Sequence, residues 1–166
     1  MNLLPRPQYL QELATITGND LVRLVTGVRR AGKSSLLLLY RQHLVEQGVD
    51  PRAILTINFE DATVDALREP QVFHEYVLDR VKHGVTHLHV DEVQELGDWA
   101  RMINSLRTTQ NIEICATGSN ASMFSGEGLT YLAGRYVSLE MFPLSLAEFR
   151  QFTGVSDSES VEGLSL

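Results

Sequence analysis

The 166-residue sequence predicts an α/β fold built on a mainly parallel sheet. Three observations carry that expectation. Short β-rich runs alternate with longer helical patterns along the whole chain. A glycine-rich turn, GVRRAGKSS at 27–35, joins the first β-rich run to the first helical pattern. A later β-rich run, THLHV at 86–90, ends in the acidic pair Asp91-Glu92.

Each element follows from local pattern. Residues 21–26 (LVRLVT) read as the first strand and stop at a glycine. Residues 33–47 read as a helix with Leu36, Leu37, Tyr40 and Leu44 on its buried face and Gly48 as its stop. Residues 53–59 (AILTINF) form a second strand. The next helix, 69–82, carries Val72, Phe73, Tyr76, Val77 and Val81 at helical spacing. Strand three spans 86–90. Helix 98–108 presents Trp99, Met102, Ile103 and Leu106 on one side, and strand four covers 112–116. Residues 136–140 read as a fifth strand, after which Phe142, Leu144, Leu146 and Phe149 are expected to pack in the core. The chain divides into a domain over 1–152 and a Ser-, Glu-, Asp- and Gly-rich tail over 153–166, expected to be a linker or frayed end.

Composition narrows the function classes. Hydrophobic residues make up 43% and charged residues 21%, ordinary values for a soluble domain. The longest apolar run, LLLLY, is far short of a membrane span, and the opening MNLLPRPQYL lacks the charged-then-apolar pattern of a secretory leader. The single Cys115 excludes an internal disulfide framework and suits a reducing, cytoplasmic setting. A net charge of −7 gives no sign of nucleic acid as a partner.

The glycine-rich turn matches Gly-x4-Gly-Lys-Ser, a phosphate-binding loop. Gly27 and Gly32 let the backbone curl with its N–H groups inward, while Val28, Arg29, Arg30 and Ala31 span the loop between them. Lys33 places an ammonium at the β- and γ-phosphates of a nucleotide, Ser34 offers its hydroxyl to Mg²⁺, and Ser35 continues into the helix N-terminus, where an anion is favoured. Arg29 and Arg30 read either as solvated charge or as contacts to a neighbouring subunit or domain.

The second signal is the strand ending in Asp91-Glu92. Asp91 suits a metal-holding role and Glu92 the polarising of an attacking water. The stretch between Lys33 and Asp91 holds one whole strand and two helices, so a strand is expected between the two that carry these residues. No Asn-Lys-x-Asp base-reading motif of a GTPase is present, and no second Arg cluster of a small-molecule kinase lid follows. Thr117, Ser119 and Asn120, just past the fourth strand, are placed to sense a γ-phosphate or orient water, or else to cap a turn. Arg135, before the fifth strand, reads as a charge-stabilising arginine acting in its own chain or a neighbour, or as a structural ion pair. Asn58 reads as a contact to Glu92 or a plain strand end. His83, His87 and His89 read as hydrogen-bonded surface and sheet histidines more readily than as a metal set.

Together VTGVRRAGKSSLL, INFED, VDEVQELGDWARMINSLR, ATGSN and LAGRYVSLEMFPLSLAEF resemble the AAA-type P-loop ATPase core of many bacterial and archaeal proteins. The resemblance runs from about Arg6 to Phe152. It implies a three-layer αβα P-loop NTPase of the ASCE class with a five-stranded parallel sheet in the order 5-1-4-3-2. Carried over to this chain, it implies that Gly27, Gly32, Lys33 and Ser34 bind ATP and Mg²⁺, that Asp91 coordinates the metal, and that Glu92 is the catalytic base. It also places the segment PRPQYL near the base of the nucleotide. Members of the family usually continue into a C-terminal domain, so a missing effector domain or a second copy of the chain is the implied partner besides ATP. The sequence departs from the family pattern at Ser34, where Thr is common, at Leu146, where Phe is common, and at the two histidines of the third strand.

Overall fold

The computed structural model describes residues 5–16, 18, 20–119 and 127–153, with the backbone alone described at 127 and 128. Asn120 and the tail from 154 onward lie outside the described residues. The strands are β1 (Val22–Gly27), β2 (Ile54–Asn58), β3 (His87–Asp91), β4 (Glu113–Gly118) and β5 (Tyr136–Met141). The helices are α1 (Pro7–Thr15), α2 (Lys33–Glu46), α3 (Pro70–Lys82), α4 (Trp99–Thr109) and α5 (Leu146–Thr153). Helices α1 and α5 are additions to the elements that the sequence pattern predicts.

The sheet order is β2-β3-β4-β1-β5, which is the expected 5-1-4-3-2 order read from the other edge, and every pairing is parallel. β3 and β4 lie between β1 and β2, so the chain leaves β1 toward one edge of the sheet and leaves β4 toward the other. Such a divergence opens a crevice at the carboxyl ends of the two strands, where ligands of open α/β sheets bind.

Alternation along each strand sorts the side chains into two cores. Leu24, Leu88, Val90, Ile114 and Ala116 point toward α3 and α4, where Phe73, Val77, Ile103 and Leu106 are fully buried. Val25, Cys115 and Leu139 point the other way, against Leu13 of α1 and Leu36, Leu37 and Tyr40 of α2. The result is three layers, with helices on both faces of a parallel sheet.

The second face also holds polar groups. Arg23 is buried, pairs with Glu113 at 3.0 Å, and lies near the Tyr40 ring. His89 is buried and stacks on Tyr40, with ring centroids 5.5 Å apart. Its Nδ1 has no hydrogen-bond partner among the described residues. Burial pushes the Tyr40 hydroxyl and the Cys115 thiol up to about 12, so both stay protonated at neutral pH.

The expected core role of the segment after β5 is corrected. Phe142, Leu144, Leu146 and Phe149 are exposed, as is Phe152. The physical reason is that β5 is an edge strand, and α5, which follows it, buries none of its residues.

Candidate functional site: the phosphate loop and the acidic strand end

The loop between β1 and α2 is shaped by backbone conformations that few residues tolerate. Gly27 has φ 150°, and a Cβ there would collide with the carbonyl oxygen of Met141 on β5. Gly32, the residue before α2, has φ 93°, and Arg30 has φ 64°. Two left-handed residues flanking Ala31 turn the chain sharply into the helix. Lys33 is 4% exposed, and its Nζ donates to the carbonyls of Gly27 and Val28 at 3.1 and 3.0 Å. The ammonium is thereby held inside the curl of the loop.

A cavity of about 510 Å³ opens over this loop, lined by Arg29, Arg30, Gly32, Lys33, Ser34, Ser35, Glu60 and Glu92. Arg29 and Arg30 are exposed, yet they border the cavity, so their charge adds to that of Lys33 at one place. Val28 is exposed at the loop's outer side. Glu60, in the turn after β2, was not singled out in the sequence. It belongs to the run INFED, and only the folded sheet brings that turn beside the loop.

Asp91 ends β3 and is 4% exposed. Ser34 and Asp91 line a common smaller cavity of about 120 Å³ together with Thr56 and Asn58. A hydroxyl and a carboxylate facing one pocket at the mouth of a phosphate loop form a hard-oxygen donor set that fits Mg²⁺. Thr117 of β4 organises the acidic pair. Its hydroxyl donates to the Asp91 carboxylate and accepts the backbone N–H of Glu92 at 3.1 Å. Glu92 itself sits in the left-handed region, φ 55° and ψ 51°. That turn aims its side chain at the cavity over the loop. Its carboxylate accepts a hydrogen bond from the Gln94 amide, a partner sequence reasoning missed.

The remaining sequence candidates fall at definite places. Thr26 lies opposite Gly118, so Ser119 follows at the level of the phosphate loop, half-buried. Asn58 accepts the N–H of Glu60 at 2.9 Å and makes a turn there; the carboxylate of Glu92 is engaged by Gln94. His83 bonds the carbonyl of Asp79, His87 bonds Thr86, and His89 stacks on Tyr40, so the three rings serve separate neighbours. Burial, aided by the charges of His87, Arg41 and Arg23, holds His89 down at about 3, which keeps it neutral.

Arg135 requires a correction. The N–H of Val22 donates to its carbonyl at 2.9 Å, and β5 pairs Val22 with Tyr136 but Gly27 with Met141. Arg135 therefore stands at the end of the sheet away from the loop. The intervening six-residue strand spans roughly 16 Å at ~3.3 Å per residue, beyond the reach of an arginine side chain. Action on the phosphates of its own chain is ruled out by the parallel register.

A strand running into a left-handed glycine loop, a lysine held within it, and an acidic pair on a neighbouring strand define a nucleotide-binding P-loop domain. Comparison with known proteins narrows the class. A family model described as AAA domain matches residues 19–150, and the chain belongs to that family. It is 37% identical over 160 residues to an uncharacterized protein of Haemophilus influenzae, covering 95% of this chain and 40% of that protein. A second relative, the uncharacterized protein MJ1544 of Methanocaldococcus jannaschii, is 26% identical over 132 residues, covering 79% of this chain and 28% of its own length. The chain thus spans less than half the length of the curated relatives it matches. Among solved structures, a DNA polymerase III gamma subunit-related protein from Thermotoga maritima superposes with a TM-score of 0.65 at 11% identity, over 94% of this chain and 52% of that one. That likeness concerns the fold. Among the described residues no helix is long and apolar enough to cross a membrane.

Proposed function

We propose that this domain binds ATP with Mg²⁺ and hydrolyses it, and that hydrolysis drives a shape change in a further part of a longer protein or in a neighbouring copy. The supporting observation is the convergence of Arg29, Arg30, Lys33, Ser34 and Glu92 on one cavity, with Asp91 and Ser34 sharing the pocket beside it. In this reading the backbone of 27–32 and the Lys33 ammonium hold the phosphates, and Arg29 and Arg30 add charge at the rim. Ser34 and Asp91 would hold Mg²⁺, which supplies charge neutralisation of the phosphates. Glu92 orients the attacking water and takes its proton. Thr117, bonded to both members of the acidic pair, sets its geometry, and Ser119 senses the γ-phosphate or orients water. The narrow cleft lined by Arg6, Ala31, Leu36, Leu39, Met141 and Leu144 would take the base.

Phosphate release by the full-length protein tests the reading. Glu92→Gln is expected to lower kcat by about 10²–10⁴, the usual contribution of a general base. Equal turnover in both forms would remove Glu92 from that role. Lys33→Ala is expected to abolish ATP binding in calorimetry, and unchanged binding would overturn the whole scheme.

A second reading, a regulatory nucleotide switch with little hydrolysis, is favoured by a specific observation. The Glu92 carboxylate is already engaged by Gln94, and Arg135 serves no phosphate in its own chain. Arg135 would then act only on a neighbour's nucleotide. Turnover that rises with protein concentration supports that assignment, and rapid turnover by dilute monomer contradicts it.

A further inference from the structure

Arg6 precedes α1, far in sequence from every motif of the site, yet it is 7% exposed and its guanidinium reaches three separate elements. Nη1 donates to the carbonyl of Ala31 in the phosphate loop at 3.1 Å and to the carbonyl of Phe142 after β5 at 2.8 Å. Nε and Nη2 fork onto the two carboxylate oxygens of Glu148 on α5 at 3.0 and 3.3 Å. The Tyr9 ring lies 4.4 Å from the guanidinium carbon and its hydroxyl accepts the N–H of Phe142 at 3.3 Å. A planar fork held by four hydrogen bonds, with an aromatic ring against one face, has little freedom to turn.

We propose that Arg6 is a positioning residue for the phosphate loop, and that Glu148 on α5 sets the strength of that positioning. The argument is one of peptide geometry. No peptide bond in the described residues is cis. In a trans peptide the C=O and the following N–H point in opposite directions. The Ala31 carbonyl and the Gly32 N–H belong to one such plane. By holding the carbonyl outward, Arg6 turns the Gly32 N–H inward, to the side where Gly32 lines the cavity. The flanking Arg30 and Gly32 are both left-handed, so this plane has no regular helix or strand ladder to fix its tilt. A cationic donor on the carbonyl also polarises the amide and strengthens its N–H toward an anion.

Glu148 ties this arrangement to the last helix. It forms a reciprocal cap with Ser145, whose N–H donates to the Glu148 carboxylate at 2.8 Å while the Glu148 N–H donates to the Ser145 hydroxyl at 3.2 Å. Displacement of α5 therefore draws Glu148 from Arg6 and loosens the plane that presents the Gly32 amide. Anion affinity at the loop is linked in this way to the position of a helix that lines no part of the phosphate cavity.

The inference rests on the nucleotide-binding reading above, and its test separates the two. Arg6→Lys and Glu148→Gln are compared with the parent full-length protein in ATP calorimetry and in the NMR shift and exchange rate of the Gly32 amide without nucleotide. Glu148→Gln keeps an amide oxygen for the cap with Ser145 but loses the charge and one of the two acceptors that the Arg6 fork engages. Arg6→Lys is expected to weaken ATP about ten-fold and Glu148→Gln about three-fold. The double variant should be no weaker than Arg6→Lys alone, because both changes act through one bond. The Gly32 amide should shift and exchange faster in each variant, a local effect that general loosening of the fold would not confine to this plane. If Arg6→Lys fails to fold, Glu148→Gln carries the test alone. Unchanged ATP affinity in the folded variants overturns the proposal while leaving nucleotide binding intact. If the parent protein binds no ATP, the functional reading fails, and an unmoved Gly32 amide in the same variants overturns the positioning role as well.

Discussion

Glu92 illustrates what a single residue requires of its surroundings. A non-glycine residue in the left-handed region costs about 1–3 kcal/mol, so it persists only where neighbours hold it. Here the Thr117 hydroxyl holds its N–H and the Gln94 amide holds its carboxylate. The same Gln94 contact competes with the water that Glu92 is proposed to orient. Gln94→Ala is expected to raise the steady-state rate of phosphate release about five-fold at unchanged KM, since one such hydrogen bond is worth ~1 kcal/mol. A lower rate would show instead that Gln94 aims Glu92 productively. Sequence pattern pointed to Asp91, Glu92 and Thr117 through their places at strand ends. It did not point to Gln94, because the approach of residues two apart depends on the turn at Glu92. Nor did it point to Arg6, whose partners at Ala31 and Glu148 are distant in sequence.

At the scale of elements, strands and helices with clear periodicity were legible to within a residue or two. The observed β1, Val22–Gly27, and α2, Lys33–Glu46, lie almost where alternation and the glycine stop put them. The segment after β5 departs from its sequence pattern, because four large apolar residues in one stretch look like core and yet are exposed. Its helix α5 is nevertheless written locally, in the Ser145…Glu148 capping box. Exposure makes a sharp prediction. Replacing Phe149 and Phe152 by Gln should change stability by no more than about 0.5 kcal/mol per site in urea unfolding, as for ordinary surface positions. Core phenylalanines would cost about 3–5 kcal/mol each when truncated. A large drop in the urea midpoint would mean that α5 packs in solution against a face it leaves open here.

Across the whole molecule, the face of the sheet under α2 has a pH signature. His89 is neutral in the folded protein, held at about 3, whereas an unfolded histidine titrates near 6.5. Below pH ~6.5 the unfolded chain gains a proton that the folded chain refuses. Its contribution to stability is therefore complete above that pH and falls away as the solution is acidified toward pH 3. The loss attributable to this one ring is about 2 kcal/mol by pH 5. His89→Phe keeps a ring on Tyr40 and should flatten the dependence of the urea midpoint between pH 7 and 5. An unaltered slope would assign the acid sensitivity to other groups.

The sequence by itself determined the class of fold, the phosphate loop and the acidic strand end, because each depends on residue types at short spacing that the local backbone enforces. The 5-1-4-3-2 strand order followed from the resemblance those motifs carry. Tertiary structure alone decided which end of the sheet each loop occupies. Parallel pairing put Asp91, Thr117 and the loop at one end and sent Arg135 to the other. Tertiary structure also closed the contacts between Arg6, Ala31 and Glu148. Side chains remote in sequence meet only when the folded sheet and its helices bring their backbones within hydrogen-bond reach, and no local pattern records that distance.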